Sequence, residues 1–273
     1  MKRSVLAAAM SVMVLAAGCS APAGNNNNAP AQQQAAQEKY TSLSQLAGKT
    51  IGVQTGTSMG DTVKEAIPTA SVSQYRNYTF LIDALKKGEI AAFPGDDPVI
   101  REICAKDSQL TFINEQVDPG DFAFAFPKTE EGNKLLAEFN EYMTKIKSDG
   151  TLKQMQDKWT GANDDEKIVP DHTALPADKG TLKFATEGDY APFDYFKDNK
   201  VVGLDIDIAI NFCQEYGYGL EIYTMSFSEI IPSIHDKKYD FGGAGITVTD
   251  ERSEQVNFSE PDYSGGTVFC VLK

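Results

Sequence analysis

Histidine and cysteine are scarce in this sequence of 273 residues, which contains two histidines and four cysteines. Neither His172 nor His235 has a cysteine or a carboxylate at the spacing of metal ligands, so the sequence predicts no metal site and no other cofactor. No Ser/His/Asp or Cys/His set suggests nucleophilic catalysis. These absences favour a binding protein over an enzyme.

The cysteines are too few and too dispersed for a disulfide framework. Apart from Cys19 they form an odd set of three: Cys104, Cys213 and Cys270. Buried free thiols are the default for such residues, although one bridge, for example between Cys213 and Cys270, stays open.

Positive charge is also in short supply. The chain has 25 Lys and Arg against 39 Asp and Glu, a formal net charge of −14. Because a nucleic-acid surface needs clustered Lys and Arg and no such cluster occurs, a nucleic-acid partner is excluded.

No apolar run is long enough to span a bilayer. The run from Val5 to Ala17 follows Lys2 and Arg3 and indicates an export signal at 1–18. The closing letters "LAAGC" resemble a lipobox, in which the peptide is cut before Cys19 and the cysteine is lipidated; a plain signal peptide is the alternative. We therefore expect an extracytoplasmic protein, in the periplasm or at the cell surface, held to the membrane by lipid on Cys19.

Residues 19–41 are predicted to be a disordered tether. The stretch from Ser20 to Lys39 has no aromatic or large aliphatic side chain, so it cannot bury enough apolar surface to offset the entropy of ordering. From Ser42 onward, short apolar strands alternate with amphipathic helices, which is typical of α/β proteins with parallel βα units. The polar stretch 161–180, with two prolines and no periodicity, is predicted to be a linker between two such regions.

Two strand–turn–helix corners carry the polar residues of interest. "GAGITVTDER" (243–252) places hydroxyls that can cap a short helix before Arg252, whose guanidinium can grip a carboxylate with two hydrogen bonds. "VQTGTS" (53–58) has the same layout. Such corners are common, so neither alone identifies a function.

Several motifs together resemble a known family. These are "GITVTDER" followed by "VNFSEPDY", "ATEGDYAPFDYFKDNKVVGLDIDIA", "MSFSEIIPSI", "LAGKTIGVQTGTS" and "IKSDGTLKQMQDKWTG". They are similar to signatures of the polar amino acid solute-binding proteins, family 3, the receptors of ABC importers. The resemblance implies the type II periplasmic binding fold, in which two Rossmann-like βα lobes joined at a hinge close on an amino acid.

The resemblance also implies roles for individual residues. Arg252 would bind the α-carboxylate with the amides of Thr247 and Ser58, and Asp96 would bind the α-ammonium. Asp97 is the alternative to Asp96 if the register is off by one. The remaining implied ligand contacts are Gly245 and Thr57 at the two corners, Tyr190 and Phe227 around the ligand side chain, and Gln54 and Glu187 as readers of that side chain.

The order of the halves is reversed relative to the family, which suggests a circular permutation; one piece of a tandem or split gene is the alternative. The predicted segments after the tether are lobe two with a return hinge strand at 42–128, helices packing on lobe one at 129–160, the linker at 161–180, and lobe one ending in a hinge strand at 181–273. Permutation predicts that Lys273 lies near Ser42 and that "GGTVFCVLK" pairs antiparallel with "DFAFAFPK".

The expected function is capture of a polar amino acid, and its delivery to an ABC permease, by a monomeric receptor. Glu187 and Gln54 suggest glutamine, a basic amino acid or cystine. Two other functions stay open on the same fold: an enzyme of the cyclohexadienyl dehydratase kind, and the ligand-binding module of a sensory receptor.

Overall fold

The computed structural model describes residues 38–273. The predicted signal peptide, the lipidation site Cys19 and most of the tether therefore lie outside the described residues. Between 38 and 273, helices alternate with short strands in two lobes, which confirms the predicted α/β class. No helix in this range is long and apolar enough to cross a membrane.

Lobe two comes first in the chain. It begins with a short 3-10 helix, Leu43–Leu46, and continues with regular elements. These are β1 (Thr50–Gln54), α1 (Met59–Ala66), β2 (Ser71–Tyr75), α2 (Tyr78–Lys87), β3 (Phe93–Asp96), α3 (Asp97–Lys106) and β4 (Leu110–Phe122). Local signals set the ends of these elements: Asn77 caps α2 by accepting from the Phe80 amide, and Gly88 ends it in the left-handed conformation at φ 74°.

A short strand and two helices lead out of lobe two. These are β5 (Ala125–Pro127), α4 (Glu130–Ser148) and α5 (Thr151–Thr160). Phe139 of α4 packs on Phe212 at 5.0 Å between ring centroids, and Trp159 of α5 donates its indole N–H to Asp207 at 2.8 Å. Because Phe212 and Asp207 belong to the second half of the chain, α4 and α5 rest on that half.

Lobe one follows the irregular stretch 161–180. Its elements are β6 (Thr181–Thr186), β7 (Asp189–Tyr190), β8 (Asp194–Lys197), β9 (Lys200–Val202), α6 (Leu204–Tyr216), β10 (Gly219–Thr224), α7 (Phe227–His235), β11 (Phe241–Gly242), α8 (Asp250–Gln255) and β12 (Val256–Phe258). The last strand of the chain is β13 (Tyr263–Leu272). Strands β7, β8 and β9 form a small antiparallel sheet beside the main one.

Each lobe has one main sheet, and each main sheet includes a strand from the other half of the chain. In lobe one the order is β10-β6-β11-β5-β12, with β5 antiparallel to its neighbours. In lobe two, β3-β13-β4 is joined to β1-β2 through the Gly52 amide, which donates to the Ala92 carbonyl at 2.9 Å. The chain thus crosses between lobes twice, after β4 and after β12.

The pairing predicted for the last strand is wrong in register. β13 pairs antiparallel with β3 and with β4 along its length, from Leu272 beside Leu110 to Tyr263 beside Phe122, so "GGTVFCVLK" lies beside residues that precede "DFAFAFPK". The polar residues "NEQVDPGD" thus lie within one long strand. They are accommodated because β4 is an edge strand, where Pro119 needs no ladder hydrogen bond, and because β13 shifts register twice beside it.

The irregular stretch 161–180 is tied to both lobes. Lys167 is only 2% exposed, and its ammonium lies 3.5 Å from Glu102 of α3 in lobe two and 3.1 Å from Asp164. Lys197 of lobe one donates to the Asp164 carbonyl at 2.6 Å. This segment therefore packs against the folded body as it connects α5 to β6.

Candidate functional site

The corner after β1 approaches lobe one closely. Gly56 adopts φ +85°, and a Cβ on it would lie 2.7 Å from the Cβ of Ser228 on α7. Only glycine satisfies both the left-handed conformation and this contact. The Thr57 hydroxyl donates to the Gln54 carbonyl at 2.8 Å and fixes the turn, so Gln54, Thr57 and Ser58 face lobe one.

The corner after β11 is its counterpart. Gly245 adopts φ +55°, a Cβ on it would lie 2.6 Å from the Tyr190 ring, and its amide donates to Asp205 at 2.8 Å. The Thr249 hydroxyl accepts from the Arg252 amide at 3.2 Å and caps α8, as the sequence suggests. This cap places Arg252 in the first turn of α8, below the corner.

Arg252 is buried at the boundary between the lobes. Its guanidinium donates to the Thr247 carbonyl at 2.7 Å and, across to lobe two, to the Gly56 carbonyl at 3.0 Å. The guanidinium carbon lies 5.3 Å from the centre of the Phe227 ring, a cation–π contact. Burial lowers the pKa of Arg252, but among residues 38–273 no carboxylate is hydrogen-bonded to it.

Asp96 faces Arg252 from lobe two. It ends β3, is 5% exposed, and accepts a hydrogen bond from the Tyr190 hydroxyl of lobe one. Desolvation raises the pKa of Asp96 to about 7; the nearby charge of Asp118 adds to the rise and that of Arg252 opposes it. Asp97 instead forms an ion pair with Arg101 at 2.7 Å and does not line the cavity. The structure thus separates the two neighbouring candidates.

Glu187 meets Gln54 on the opposite side of the cavity. The Gln54 amide donates to Glu187 Oε1 at 2.6 Å, whereas Oε2 is buried and has no hydrogen-bond partner in the described part of the chain. Desolvation, with a smaller contribution from Asp189, raises the pKa of Glu187 to about 7, and the bond from Gln54 opposes the rise. A buried carboxylate with one unused oxygen is a strong acceptor for a cationic or amide group.

A buried carboxylate behind the site holds Glu187 in place. Asp194 of β8 accepts from the backbone amides of Glu187 at 3.1 Å and Gly188 at 2.5 Å. Desolvation raises the pKa of Asp194 well above its usual value, and the nearby carboxylate of Asp205 adds to the rise. The turn that carries Glu187 is therefore fixed by its own lobe.

One cavity between the lobes is lined by every residue that the resemblance implies as a ligand contact, apart from the alternative Asp97. They are Gln54, Thr57, Ser58, Asp96, Glu187, Tyr190, Phe227, Gly245, Thr247 and Arg252. The free space at its centre is about 20 Å³, close to what a single water molecule needs. The side chains that line the cavity therefore contact one another across it.

Two residues that the sequence analysis did not identify also line the cavity. Tyr78 begins α2, is 4% exposed and packs on Tyr190 with 5.6 Å between ring centroids. Met59 begins α1. Both occupy apolar positions of amphipathic helices, which usually indicate core packing, so no sequence signal distinguished them.

A family model matches part of the chain. The bacterial extracellular solute-binding proteins, family 3, match residues 182–273, which include β6 to β13. Glu187, Tyr190, Phe227, Gly245, Thr247 and Arg252 lie inside the matched segment, whereas Gln54, Thr57, Ser58 and Asp96 lie outside it.

Individual proteins are similar over the same share of the chain. An arginine-binding extracellular protein of Bacillus subtilis is 35% identical over 95 residues, 35% of this chain and 37% of that protein. A cyclohexadienyl dehydratase of Pseudomonas aeruginosa is 32% identical over 96 residues, 35% of this chain and 36% of that protein. The chain thus spans little more than a third of the length of these relatives.

A solved structure gives a similar result. An ancestral arginine-binding protein bound to arginine is 42% identical over 30% of this chain and 37% of its own, with a TM-score of 0.29. The family to which residues 182–273 are matched is therefore that of the bacterial extracellular solute-binding proteins, family 3.

Proposed function

We propose that this chain is an extracytoplasmic substrate-binding protein that captures a polar amino acid between its lobes and delivers it to an ABC importer. The observation that carries the proposal is the arrangement of charge. Arg252 of lobe one and Asp96 of lobe two line one buried cavity, and neither is neutralised by an ion pair there. The family match of the second half and the names of its relatives agree with this function.

The head group of an amino acid fits these two charges. Arg252 can offer two parallel N–H donors to the α-carboxylate, with the amides at Thr247 and Ser58 beside it, and Asp96 can accept from the α-ammonium. Both charges of the ligand leave water on binding. Because removing one partner of a buried ion pair costs about 3–5 kcal/mol, both partners are needed.

Binding requires that the lobes separate first, because the space at the centre of the cavity is far smaller than an amino acid. At the cavity, hydrogen bonds from Tyr190 to Asp96, from Gln54 to Glu187 and from Arg252 to the Gly56 carbonyl span the cleft. Outside the cavity, Thr79 of lobe two also donates to Asp189 of lobe one, at 3.4 Å. An entering ligand would exchange the bonds at the cavity for its own contacts, and closure around it would bury the head group.

The side chain of the ligand is proposed to be cationic, with glutamine and cystine as the alternatives. The unpaired Oε2 of Glu187 would accept from a guanidinium or ammonium, and the similarity to arginine-binding proteins points the same way. Acidic side chains would repel Glu187 and should bind worst.

A thermal-shift screen of the twenty amino acids, ornithine and cystine tests the class of ligand, since binding raises the melting temperature by mass action. We expect Arg, Lys or ornithine to give the largest shift. Glu187→Gln should weaken binding of the cationic ligand at least tenfold in calorimetry, while the exposed control Glu221→Gln leaves it unchanged. If none of these amino acids raised the melting temperature, the proposal would be refuted.

An enzyme is the second candidate, because a cyclohexadienyl dehydratase is among the relatives. Glu187, with a pKa of about 7, could serve as a general acid or base in such a site. Incubation with a cyclohexadienyl acid, followed by the ultraviolet absorbance of the aromatic product, decides between the two. Turnover that is lost in Glu187→Gln would favour the enzyme.

The order of the lobes is proposed to result from a circular permutation. Leu43 and Leu46 pack in one apolar cluster with Phe269 and Val271 of β13, so the two ends of the described chain lie in lobe two. A rearranged chain in which 181–273 precedes 42–160, with Lys273 joined to Ser42, should fold and bind the same ligand. Failure of the rearranged chain to fold would count against permutation.

A further inference from the structure

Two cysteines of lobe two lie on elements that pack against each other. Cys104 is on α3, and Cys270 is on β13, the strand between β3 and β4. Side chains of β13 alternate between the two faces of the sheet: Phe269 and Val271 join the apolar cluster of the 3-10 helix and α1, whereas Cys270 joins the cluster that contains α3. Cys270 is therefore on the face that α3 covers.

Both thiols belong to the same apolar cluster, Cys270 within it and Cys104 packed against it. Their mutual interaction is the main cause of a lowered pKa at Cys104 and of a raised pKa at Cys270, where burial adds to the rise. Cys104 is half-buried and Cys270 is fully buried. The Cys104 thiol is thus partly accessible and ionises more readily than an ordinary thiol, and the buried Cys270 thiol lies beside it.

Cys213 is in a different setting. It lies on α6 of lobe one, is fully buried, and burial raises its pKa to about 12. The neighbours whose ionisation it influences include Tyr142 and Tyr218, and neither of these belongs to lobe two. Cys213 therefore provides a matched cysteine with no thiol partner among residues 38–273.

We propose that Cys104 and Cys270 form a disulfide that fastens α3 to β13, an interior strand of the lobe-two sheet. Such a bond persists only in an oxidising compartment, so its presence in the cell rests on the proposed extracytoplasmic location. Because β13 is the strand by which the chain crosses from lobe one, the bond would fix that crossing in lobe two. The ligand cavity would be untouched, since neither cysteine lines it.

The bond forms by two thiol–disulfide exchanges with a disulfide oxidant such as glutathione disulfide. The Cys104 thiolate attacks one sulfur of the oxidant and releases one thiol as leaving group. Cys270 then loses its proton and attacks the Cys104 sulfur of the mixed disulfide, releasing the second thiol. The protein loses two protons and two electrons, and the oxidant takes them up and is reduced to two thiols.

Peptide mapping tests the pairing on the purified full chain, after equilibration in a glutathione redox buffer and alkylation of free thiols. Trypsin cuts after Arg101, Lys106 and Arg252, so the bond should join the peptide 102–106 to the peptide 253–273. Cys213 should be alkylated after unfolding. Free, alkylatable Cys104 and Cys270 in the oxidised buffer would overturn the proposal. The result does not depend on where the cell places the protein or on its ligand, so it can fail or succeed apart from the proposed function.

Thermal unfolding with and without reductant gives a second test. Closing so long a loop stabilises the chain, so reductant should lower the melting temperature of the wild type and of Cys213→Ser by on the order of 10 °C. Reductant should leave Cys104→Ser unchanged, since that variant has no bond to lose. Equal sensitivity of Cys104→Ser and Cys213→Ser to reductant would contradict the assignment.

Discussion

The two lobes share a strand order but contribute different chemistry to the cavity. The strand order is β2-β1-β3-β13-β4 in lobe two and β10-β6-β11-β5-β12 in lobe one. In both sheets the fourth strand, β13 or β5, comes from the half of the chain that builds the other lobe. Lobe one contributes the guanidinium of Arg252 and the carboxylate of Glu187, whereas lobe two contributes Asp96 and the amide of Gln54.

The two lobes have the same strand order, yet each contributes different charged residues to the cavity. Under the proposed function, each charge of the head group would be matched by a different lobe, so neither lobe alone would satisfy a zwitterion and tight binding would require closure. The division also coincides with the limits of the family match, because the guanidinium lies inside the matched segment 182–273 and Asp96 lies outside it.

The largest effect is expected from removing the charge of lobe one. Arg252→Ala should weaken ligand binding roughly a hundred- to thousand-fold, because the α-carboxylate would be buried without its partner. Calorimetry measures the change, and Arg101→Ala in lobe two, whose side chain pairs with Asp97 outside the cavity, is the control. Similar affinities for both variants would remove Arg252 from the site.

A smaller loss is expected from neutralising the charge of lobe two. Asp96→Asn keeps the size of the side chain but loses the charge that meets the α-ammonium, so binding should weaken about ten- to hundredfold. The neighbouring Asp97→Asn should bind normally, since Asp97 faces Arg101. If Asp97→Asn were the damaging variant, the assignment of the ammonium site would be wrong.

Acid should weaken binding of a cationic ligand through both lobes. Asp96 and Glu187 have pKa values of about 7, so below that pH each must lose a proton before it can hold a positive group. Affinity should therefore fall, by up to about tenfold per pH unit for each group, as the pH drops below 7. Calorimetry in buffers of different ionisation enthalpy should detect proton release near pH 6.5. Affinity that stays constant from pH 8 to 5.5 would show that neither carboxylate meets the cation.

The same raised pKa values set the sign of a stability effect. The folded carboxyls keep their protons up to about pH 7, whereas the unfolded ones lose theirs near pH 4, so the folded state binds more protons between these values. The contribution of Asp96 and Glu187 to the free energy of unfolding without ligand should therefore fall as the pH rises from about 4 to 7. Urea unfolding at several pH values measures it.

The smallest effect concerns the helices that pack on lobe one. Trp159→Phe removes the hydrogen bond to Asp207 and leaves a small cavity, but Asn211 still donates to Asp207. The free energy of unfolding should fall by about 1–2 kcal/mol with no change in ligand affinity. A loss of affinity without a loss of stability would contradict this structural role.

Several features of the fold could be predicted from the sequence because their signals are local. Asn77 and Gly88 mark the ends of α2, Thr249 caps α8, and the stripe that includes Phe139 and Ile146 defines α4. The α/β rhythm then determines the fold class. The site residues were singled out by resemblance to a family, and the structure places all of them at one cavity, although their roles in binding stay predictions.

Other features depend on contacts that a local pattern does not record. The length of β4 could not be predicted, because "NEQVDPGD" forms a strand only beside β13. The sequence pattern of Tyr78 and Met59 is that of core residues. Their position at the cavity becomes evident only when lobe one lies opposite them. The partner of Cys270 likewise becomes evident only when α3 lies over β13.

The exchange of strands has a consequence for anyone who divides this protein into parts. A cut within 161–180 separates β13 from β3 and β4, and β5 from β11 and β12, so each half keeps a sheet with a gap in its interior, where unpaired backbone groups would be exposed. Either half expressed alone should therefore aggregate through these unpaired strand edges. Adding the missing strand as a separate peptide should restore its solubility.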